Sequence, residues 1–368
     1  VPDKQTKVLH ITSYPPPRAG WGMRVYFLKQ DMEKNGDLCE VLNIGKGRYL
    51  TDRDFIPVLG SLDYIKKVFR FRLKGFLIHH HLNGDSPKGF ILTFLSLTIS
   101  LLTFRRPVIT FHAGPVQLYF PKHKGPKLTL LYKYIFAVAK YIVCNNDAVK
   151  KNIMSYGVSG DKIVPIQAFS KQYMQFKKQP LAPELKEIFD NHFPAIACYA
   201  AYRPEFYLDE MVDAFALYHK EHPDSRLIML GQTGGSENIK AKMEDLGIQD
   251  AVYFAGDLDH DEFLTLLSKA AIYLRTPFKD GVSSSVLESL SLKTPVVACE
   301  NGSRPSGVIT YENQNIGDMV KVLMHTIDHI AEIKKNMQAP PIPDTVSTEI
   351  ELIKKAYWGR SLKSQGRE

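Results

Sequence analysis

Short β-branched runs alternate with longer amphipathic segments along most of the chain. The pattern predicts a first series of strands at Lys7–Thr12, Cys39–Ile44, Gly75–His80, Pro107–Phe111, Tyr141–Cys144 and Lys162–Ile166. A second series follows at Ala195–Tyr199, Arg226–Leu230, Val252–Phe254, Ile272–Arg275 and Pro295–Ala298, after which the regular spacing stops. Continuous apolar runs separated by helix-length segments describe parallel strands covered by helices on both faces. Two such series predict an α/β protein of two doubly wound, Rossmann-like domains. The polar, proline-bearing stretch Lys177–Glu184 reads as their boundary, giving domains at 1–176 and 177–344. Asp318–Asn336 reads as one amphipathic helix, and Ala339–Pro343 breaks the chain. A last helix at about Thr345–Ser361, within the segment 345–368, is expected to pack back toward the first domain. Ligands of open α/β sheets bind beyond the carboxyl ends of the strands, so the expected site is a central cleft that the two domains face.

Composition narrows the class. A chain of 368 residues, 44% hydrophobic and 23% charged, has the make-up of a globular protein with two cores. Cys39, Cys144, Cys198 and Cys299 lie far apart in apolar runs, without metal-ligand spacing, and read as reduced, buried thiols of a cytoplasmic protein. The polar opening Val1–Lys7 runs straight into a strand, so no signal peptide is read. The apolar stretch Gly89–Phe104 is shorter than the ~20 residues that cross a bilayer, and serines and threonines interrupt it. It reads as a buried helix, with shallow membrane insertion as the other reading.

The net charge of +8 suits nucleotide phosphates, other polyanions or an anionic leaflet. The densest basic run, Lys66–Lys74, interleaves aromatics and fits either a solvated helix face or a helix lying on an anionic membrane surface. Nucleic acid is not expected as a partner.

Three segments carry candidate chemistry. The turn Tyr14–Gly22 places Gly20 and Gly22 before a helix at Met23–Lys34, where backbone N–H groups can approach an anion. His112 ends a strand and precedes Ala113–Pro115, which points it away from the core. His79–His81 sit on consecutive strand positions that alternate faces, a poor metal cage. The third segment is Arg275–Ala298, where a strand ends, Asp280 and Gly281 make a turn, and serines open a helix carrying Glu288. Amides near Ser283–Ser285 suit a pyrophosphate, and a carboxylate at Glu288 can accept two hydrogen bonds from a ribose diol. Ser285 and Glu288 also fit a capping box that only satisfies the helix start.

At this segment the chain resembles glycosyltransferase family four of the GT-B fold, whose pattern sets two glutamates apart by seven residues before a Pro-Val-Val strand, the first of them replaced here by aspartate. Asp280, Glu288 and Lys293–Val297 stand at those places. Gly20 and Gly22, His112, Leu227–Gly231 and Phe254–Phe263 match further landmarks in order, so the resemblance covers most of the chain. It implies that Glu288 holds the donor ribose and that Asp280 contacts the transferred sugar. It also implies that Gly231 and the amides of Gly281, Val282, Ser283 and Ser284 line the donor. His112 is implied to touch the sugar, Gly22 to approach the phosphate, and Arg203 to neutralise the leaving diphosphate. The family's lysine partner to that arginine is missing: Tyr207 or Leu208 stands there, and Lys279 is a nearby substitute. Losing one such cation costs several kcal/mol of transition-state stabilisation where nothing replaces it.

The expected activity is therefore retaining transfer of a sugar, UDP-linked by the family's commonest choice, to a glycan or lipid-linked acceptor. The leaving phosphate then takes the acceptor's proton. The nucleotide sugar is a substrate, and no cofactor is expected. Asp257–Asp259 precedes a helix, so Asp259 reads as a cap and no catalytic metal is expected. Two alternatives share the fold: a nucleotide-sugar epimerase, and a non-catalytic sugar-nucleotide-binding subunit. The location implied is cytoplasmic, with peripheral contact at the inner face of a membrane.

Overall fold

Buried β-branched runs need hydrogen-bond partners on both edges and apolar cover on both faces, and parallel sheets flanked by helices supply both. The computed structural model describes residues 5–15, 21–50, 54–114, 116–231, 233–278 and 283–359. The chain divides into two units, one built from residues 1–172 and 343–368 and the other from 173–342. The breaks thus fall a few residues before the expected 176/177 and 344/345.

The first unit runs β1 (Lys7–Thr12), α1 (Trp21–Lys34), β2 (Leu38–Asn43), β3 (Ile56–Pro57), α2 (Ser61–Leu73), β4 (Leu77–Leu82) and α3 (Pro87–Leu102). It continues with β5 (Val108–Phe111), α4 (Thr129–Val138), β6 (Tyr141–Cys144), α5 (Asp147–Met154) and β7 (Ile163–Pro165). Its sheet has the order β3-β2-β1-β4-β5-β6-β7, every pairing parallel, so the strand order reverses between β1 and β4. Leu9, Ile11, Leu42 and Ile78 pack with Tyr64 and Val68 of α2, while Ile109, Phe111 and Ile142 pack with Tyr132 and Phe136 of α4.

The second unit holds α6 (Pro183–Asn191), β8 (Ala195–Tyr199), α7 (Leu208–Glu221), β9 (Arg226–Leu230), α8 (Glu237–Asp245), β10 (Val252–Gly256), α9 (His260–Lys269) and β11 (Ile272–Arg275). Then come α10 (Ser284–Ser291), β12 (Val296–Cys299), β13 (Val308–Tyr311), α11 (Ile316–Asp328) and α12 (Ile330–Asn336). Its sheet order is β10-β9-β8-β11-β12-β13, again wholly parallel, with the reversal between β8 and β11. The last helix, α13 (Thr345–Trp358), packs on α1 in the first unit. Asp344 caps it, accepting from the Ser347 amide at 3.0 Å and from Gln172 at 2.9 Å.

Three expectations need correction. The strand series does not stop at Ala298, because Val308–Tyr311 pairs with β12 as an edge strand. Asp318–Asn336 is two helices, α11 and α12, with His329 at the break. The stretch over α3 is only partly buried, and its pattern is mixed: Thr93, Ser96 and Ser100 face the core beside Phe90 and Leu97, while Ile91, Phe94 and Leu102 face out. The inward hydroxyls are placed by a buried imidazole. His80 Nδ1 meets Ser96 Oγ at 2.9 Å, and its Nε2 meets Thr93 Oγ1 at 2.9 Å. All four cysteines are free and buried.

Candidate functional site

In each unit the strand order reverses between two neighbouring strands, and this is where open α/β sheets bind ligands. In the second unit those strands are β8 and β11. The loop after β8 carries Arg203, whose exposed guanidinium lies 4.0 Å from Glu205. With Tyr202, Tyr207, Asp209, Gly235 and Asn238 it lines a cavity of about 540 Å³. Gly231, just past β9, has φ 108°, and a Cβ there would sit 2.3 Å from the Ala200 carbonyl oxygen. Only glycine lets the loops after β8 and β9 approach so closely.

Tyr207, at the place of the missing lysine, is the N-cap of α7 in a left-handed conformation with φ 48°. Leu208 is buried in the core, and Lys242, a cation on α8, is bound to Asp213 at 2.7 Å. Lys279 lies outside the described residues. A cation that the sequence reading passed over is Arg275, the buried last residue of β11, with its guanidinium 5.3 Å from the Phe206 ring. Burial pushes the Tyr199 hydroxyl up, Asp257 adds to the shift, and Arg275 and Arg203 both oppose it. The two arginines thus act on one tyrosine at the end of β8.

Past β11, Asp280, Gly281 and Val282 lie outside the described residues. The following helix, α10, starts at Ser284 with Ser283 as N-cap; Ser283 Oγ and Ser285 Oγ are 2.8 Å apart, and Tyr273 donates to Ser285 at 2.7 Å. Glu288 does not close a capping box with Ser285, because the cap stands two residues earlier than that reading requires. Its carboxylate is buried, and Oε1 accepts from Nε2 of His260 at 3.0 Å. Among the described residues Oε2 has no partner. His260 opens α9, and the Tyr173 ring stands edge-on to it at 5.8 Å. Sequence reasoning missed His260, since only the fold brings it to Glu288. Asp259 is the N-cap of α9 with Glu262 completing a capping box, as its position predicted.

The first unit gathers five histidines around β1, β4 and β5. His79 and His81 share one face of β4 while His80 takes the other, where α3 covers it. His10 Nδ1 meets His81 Nε2 at 3.0 Å, and His81 Nδ1 meets Nε2 of the partly buried His112 at 3.0 Å. His112 follows β5 and lies 5.0 Å from the Trp21 ring. A neutral imidazole carries one N–H, so the proton position on His10 dictates which nitrogen of His112 is protonated. Beside this chain, His79 Nε2 meets Thr110 Oγ1 at 2.7 Å, Thr110 donates to Glu349 of α13 at 2.7 Å, and Glu349 accepts from Arg24 of α1 at 2.7 Å. Gly20 lies outside the described residues. Gly22 sits in the first turn of α1, where a Cβ would come within 3.1 Å of the Ser13 carbonyl oxygen, so its bareness serves the close return of the turn.

His10 joins His79 and His81 on one face, and their ring nitrogens lie within 4.8 Å of one another. Among the described residues these could hold a metal, although nitrogens sharing a zinc at bonds of ~2.0–2.1 Å stand roughly 3.3 Å apart. The hydrogen bonds above occupy both nitrogens of His81, while His10 Nε2 and His79 Nδ1 are buried without a partner.

Burial lowers all five imidazoles, to about 3 at His80 and about 4 at His112, and well below the usual range at His10, His79 and His81. The unfolded chain takes up these protons near pH 6.5 and the folded chain does not. The stability they contribute is therefore complete above about pH 6.5 and lost as pH falls toward the folded values, by about 1.4 kcal/mol per pH unit for each ring. Denaturant melts at about pH 7.5 and about pH 5 should show a steep drop in midpoint; equal midpoints would mean that the cluster accepts protons while folded.

Residues 185–338 match the family model described as Glycosyl transferases group 1, a span within the second unit that includes Arg203, Gly231, Ser283, Ser284 and Glu288. An uncharacterized glycosyltransferase of Methanocaldococcus jannaschii is 23% identical over 262 residues, covering 70% of this chain and 63% of the relative. The chain thus spans less than two thirds of that relative's length. HepE of Anabaena, solved with UDP-glucose, is similar at a TM-score of 0.68 and 14% identity, over 96% of this chain and 99% of its own. A UDP-N-acetylglucosamine 2-epimerase is similar at 0.64 and 13% identity, over 99% and 100%. The likeness to both shows the fold, an α/β chain of two Rossmann-like units.

Proposed function

We propose that the protein is a glycosyltransferase that moves a sugar from a nucleoside diphosphate, UDP foremost, to a hydroxyl of a glycan or lipid-linked acceptor, with retention of configuration. The observation that carries this is Glu288: a buried carboxylate midway along α10, one oxygen held by His260 and the other without a partner among the described residues. A vicinal diol donates two hydrogen bonds to such a group. The diphosphate is assigned to the first amides of α10 around Ser283 and Ser284 and to the cations Arg203 and Arg275. Asp280, Gly281 and Val282 keep the sugar-side contacts that the resemblance implies, as His112 does in the first unit. HepE, solved with UDP-glucose, supports a UDP-linked donor.

In the reaction, the bond from the anomeric carbon to the phosphate oxygen breaks, and a bond to the acceptor oxygen forms on the same face. The freed phosphate oxygen takes the acceptor's proton, so no protein base is required. Positive charge builds on the ring and negative charge on the diphosphate, which the arginines and helix amides stabilise. Arg203→Ala is expected to lower transfer about 10²- to 10³-fold with a smaller loss of donor binding. Transfer at the wild-type rate would remove the assignment. The likeness to an epimerase supports a second reading. Incubating donor without acceptor separates the two, since an epimerase isomerises the sugar and a transferase leaves it unchanged.

A further inference from the structure

We infer that the outer faces of α2 and α3 form a docking surface for an anionic lipid leaflet. On α2, Leu62 (74% exposed), Phe69 and Leu73 (69% exposed) recur at helical spacing along one outward stripe. On α3, with hydroxyls taking inward places, Ile91, Phe94, Leu101 and Leu102 (71% exposed) turn away from the core. The two helices lie side by side. Tyr64 donates to the Leu92 carbonyl at 2.8 Å near their starts, and Arg72 binds Thr103 Oγ1 at 2.9 Å near their ends. Their apolar residues therefore share one side of the first unit, a larger exposed apolar surface than scattered leucines would give.

Phe104 marks the end of this surface. It is 99% exposed and has φ 57°, a conformation that glycine and asparagine adopt readily and bulky residues rarely. A phenylalanine here is unfavourable both for the backbone and for its contact with water. Insertion into lipid relieves the second. The unpaired charges on the two helices are cationic. Among the described residues Lys66, Arg70, Lys74 and Lys88 pair with no carboxylate, while the acid on α2, Asp63, is taken by Lys67 at 2.7 Å. A second copy docking here would bring cations against cations. An anionic leaflet meets the cations with headgroups and the apolar side chains with acyl chains. No described helix is long and apolar enough to cross a membrane, which suits a surface that lies on the leaflet.

The test pellets the full chain with vesicles of phosphatidylcholine alone and of phosphatidylcholine mixed with phosphatidylglycerol. Binding is expected to the anionic vesicles only, weakening as salt is raised. Lys66→Glu with Arg70→Glu should lower it about tenfold or more. Leu73→Glu with Leu102→Glu should lower it by a similar factor, with melting temperatures unchanged because all four side chains are exposed. Phe104→Asn should weaken binding while leaving the fold as stable or more so. Equal binding to neutral vesicles, absence from the anionic pellet, or variants that pellet like wild type would overturn the inference. So would a dimer in light scattering that Leu73→Glu dissociates, which would give the face to a second copy. Pelleting needs neither donor nor turnover, so its failure leaves the transferase reading standing.

Discussion

Arg24→Ala is expected to lower the melting temperature of the protein by on the order of 10 °C. Arg24 and Glu349 are almost wholly buried, one on α1 and the other on α13, with Nε 2.7 Å from Oε2. The guanidinium also donates to Thr345 Oγ1 and to the Thr345 carbonyl, each at 2.6 Å. Removing the cation leaves a buried carboxylate beside a neutral imidazole, with only Thr110 still donating to it. Breaking one partner of a buried pair costs about 3–5 kcal/mol, and at 2–4 °C per kcal/mol the drop falls between roughly 6 and 20 °C. Replacing both partners by apolar residues, Arg24→Met with Glu349→Leu, should recover most of the loss, since no charge is then stranded. Calorimetry on the three variants reads this directly. A single variant that melts within a degree or so of wild type would show that the pair adds nothing net.

Glu288→Gln should weaken nucleoside diphosphate binding by about 10- to 100-fold, in keeping with a hydrogen-bonded charge worth roughly 1.5–3 kcal/mol. Glutamine keeps the volume and can still face His260, so the substitution removes charge without opening a cavity. The readout is the rise in melting temperature on adding UDP. A ligand at 100 times its Kd stabilises by about 2.7 kcal/mol, and a hundredfold weaker ligand at the same concentration by only about 0.4 kcal/mol. Most of the shift should vanish. A full UDP shift in Glu288→Gln would sink the ribose assignment, and the proposal with it.

The doubly wound plan was readable because most strands are buried on both faces and so leave unbroken apolar runs. β1, β6, β8, β9 and β11 fall at the residues that the pattern marks. The edge strand β3 has only two half-buried residues and leaves no such run; β13 carries one much like that of β5 but follows an irregular loop after β12, outside the regular spacing. α3 was misjudged in part for a related reason. Apolar content says how much of a helix avoids water but not which side is covered, and here a histidine on β4 draws the hydroxyls inward. Glu288 was legible as a carboxylate after a turn, while its partner was not, since nothing local links it to position 260. The chain from His10 through His81 to His112 depends on β1, β4 and β5 standing side by side, a fact of strand order that no local pattern encodes.

The return of α13 to the first unit has a temporal consequence. A ribosome delivers Arg24 before the whole second unit and Glu349 after it. The continuous second unit can complete itself while translation proceeds. The opening portion must wait, with an unmatched guanidinium, until the closing segment arrives. Chains truncated before residue 343 would therefore hold one finished half and one open half, the kind of product that proteases clear.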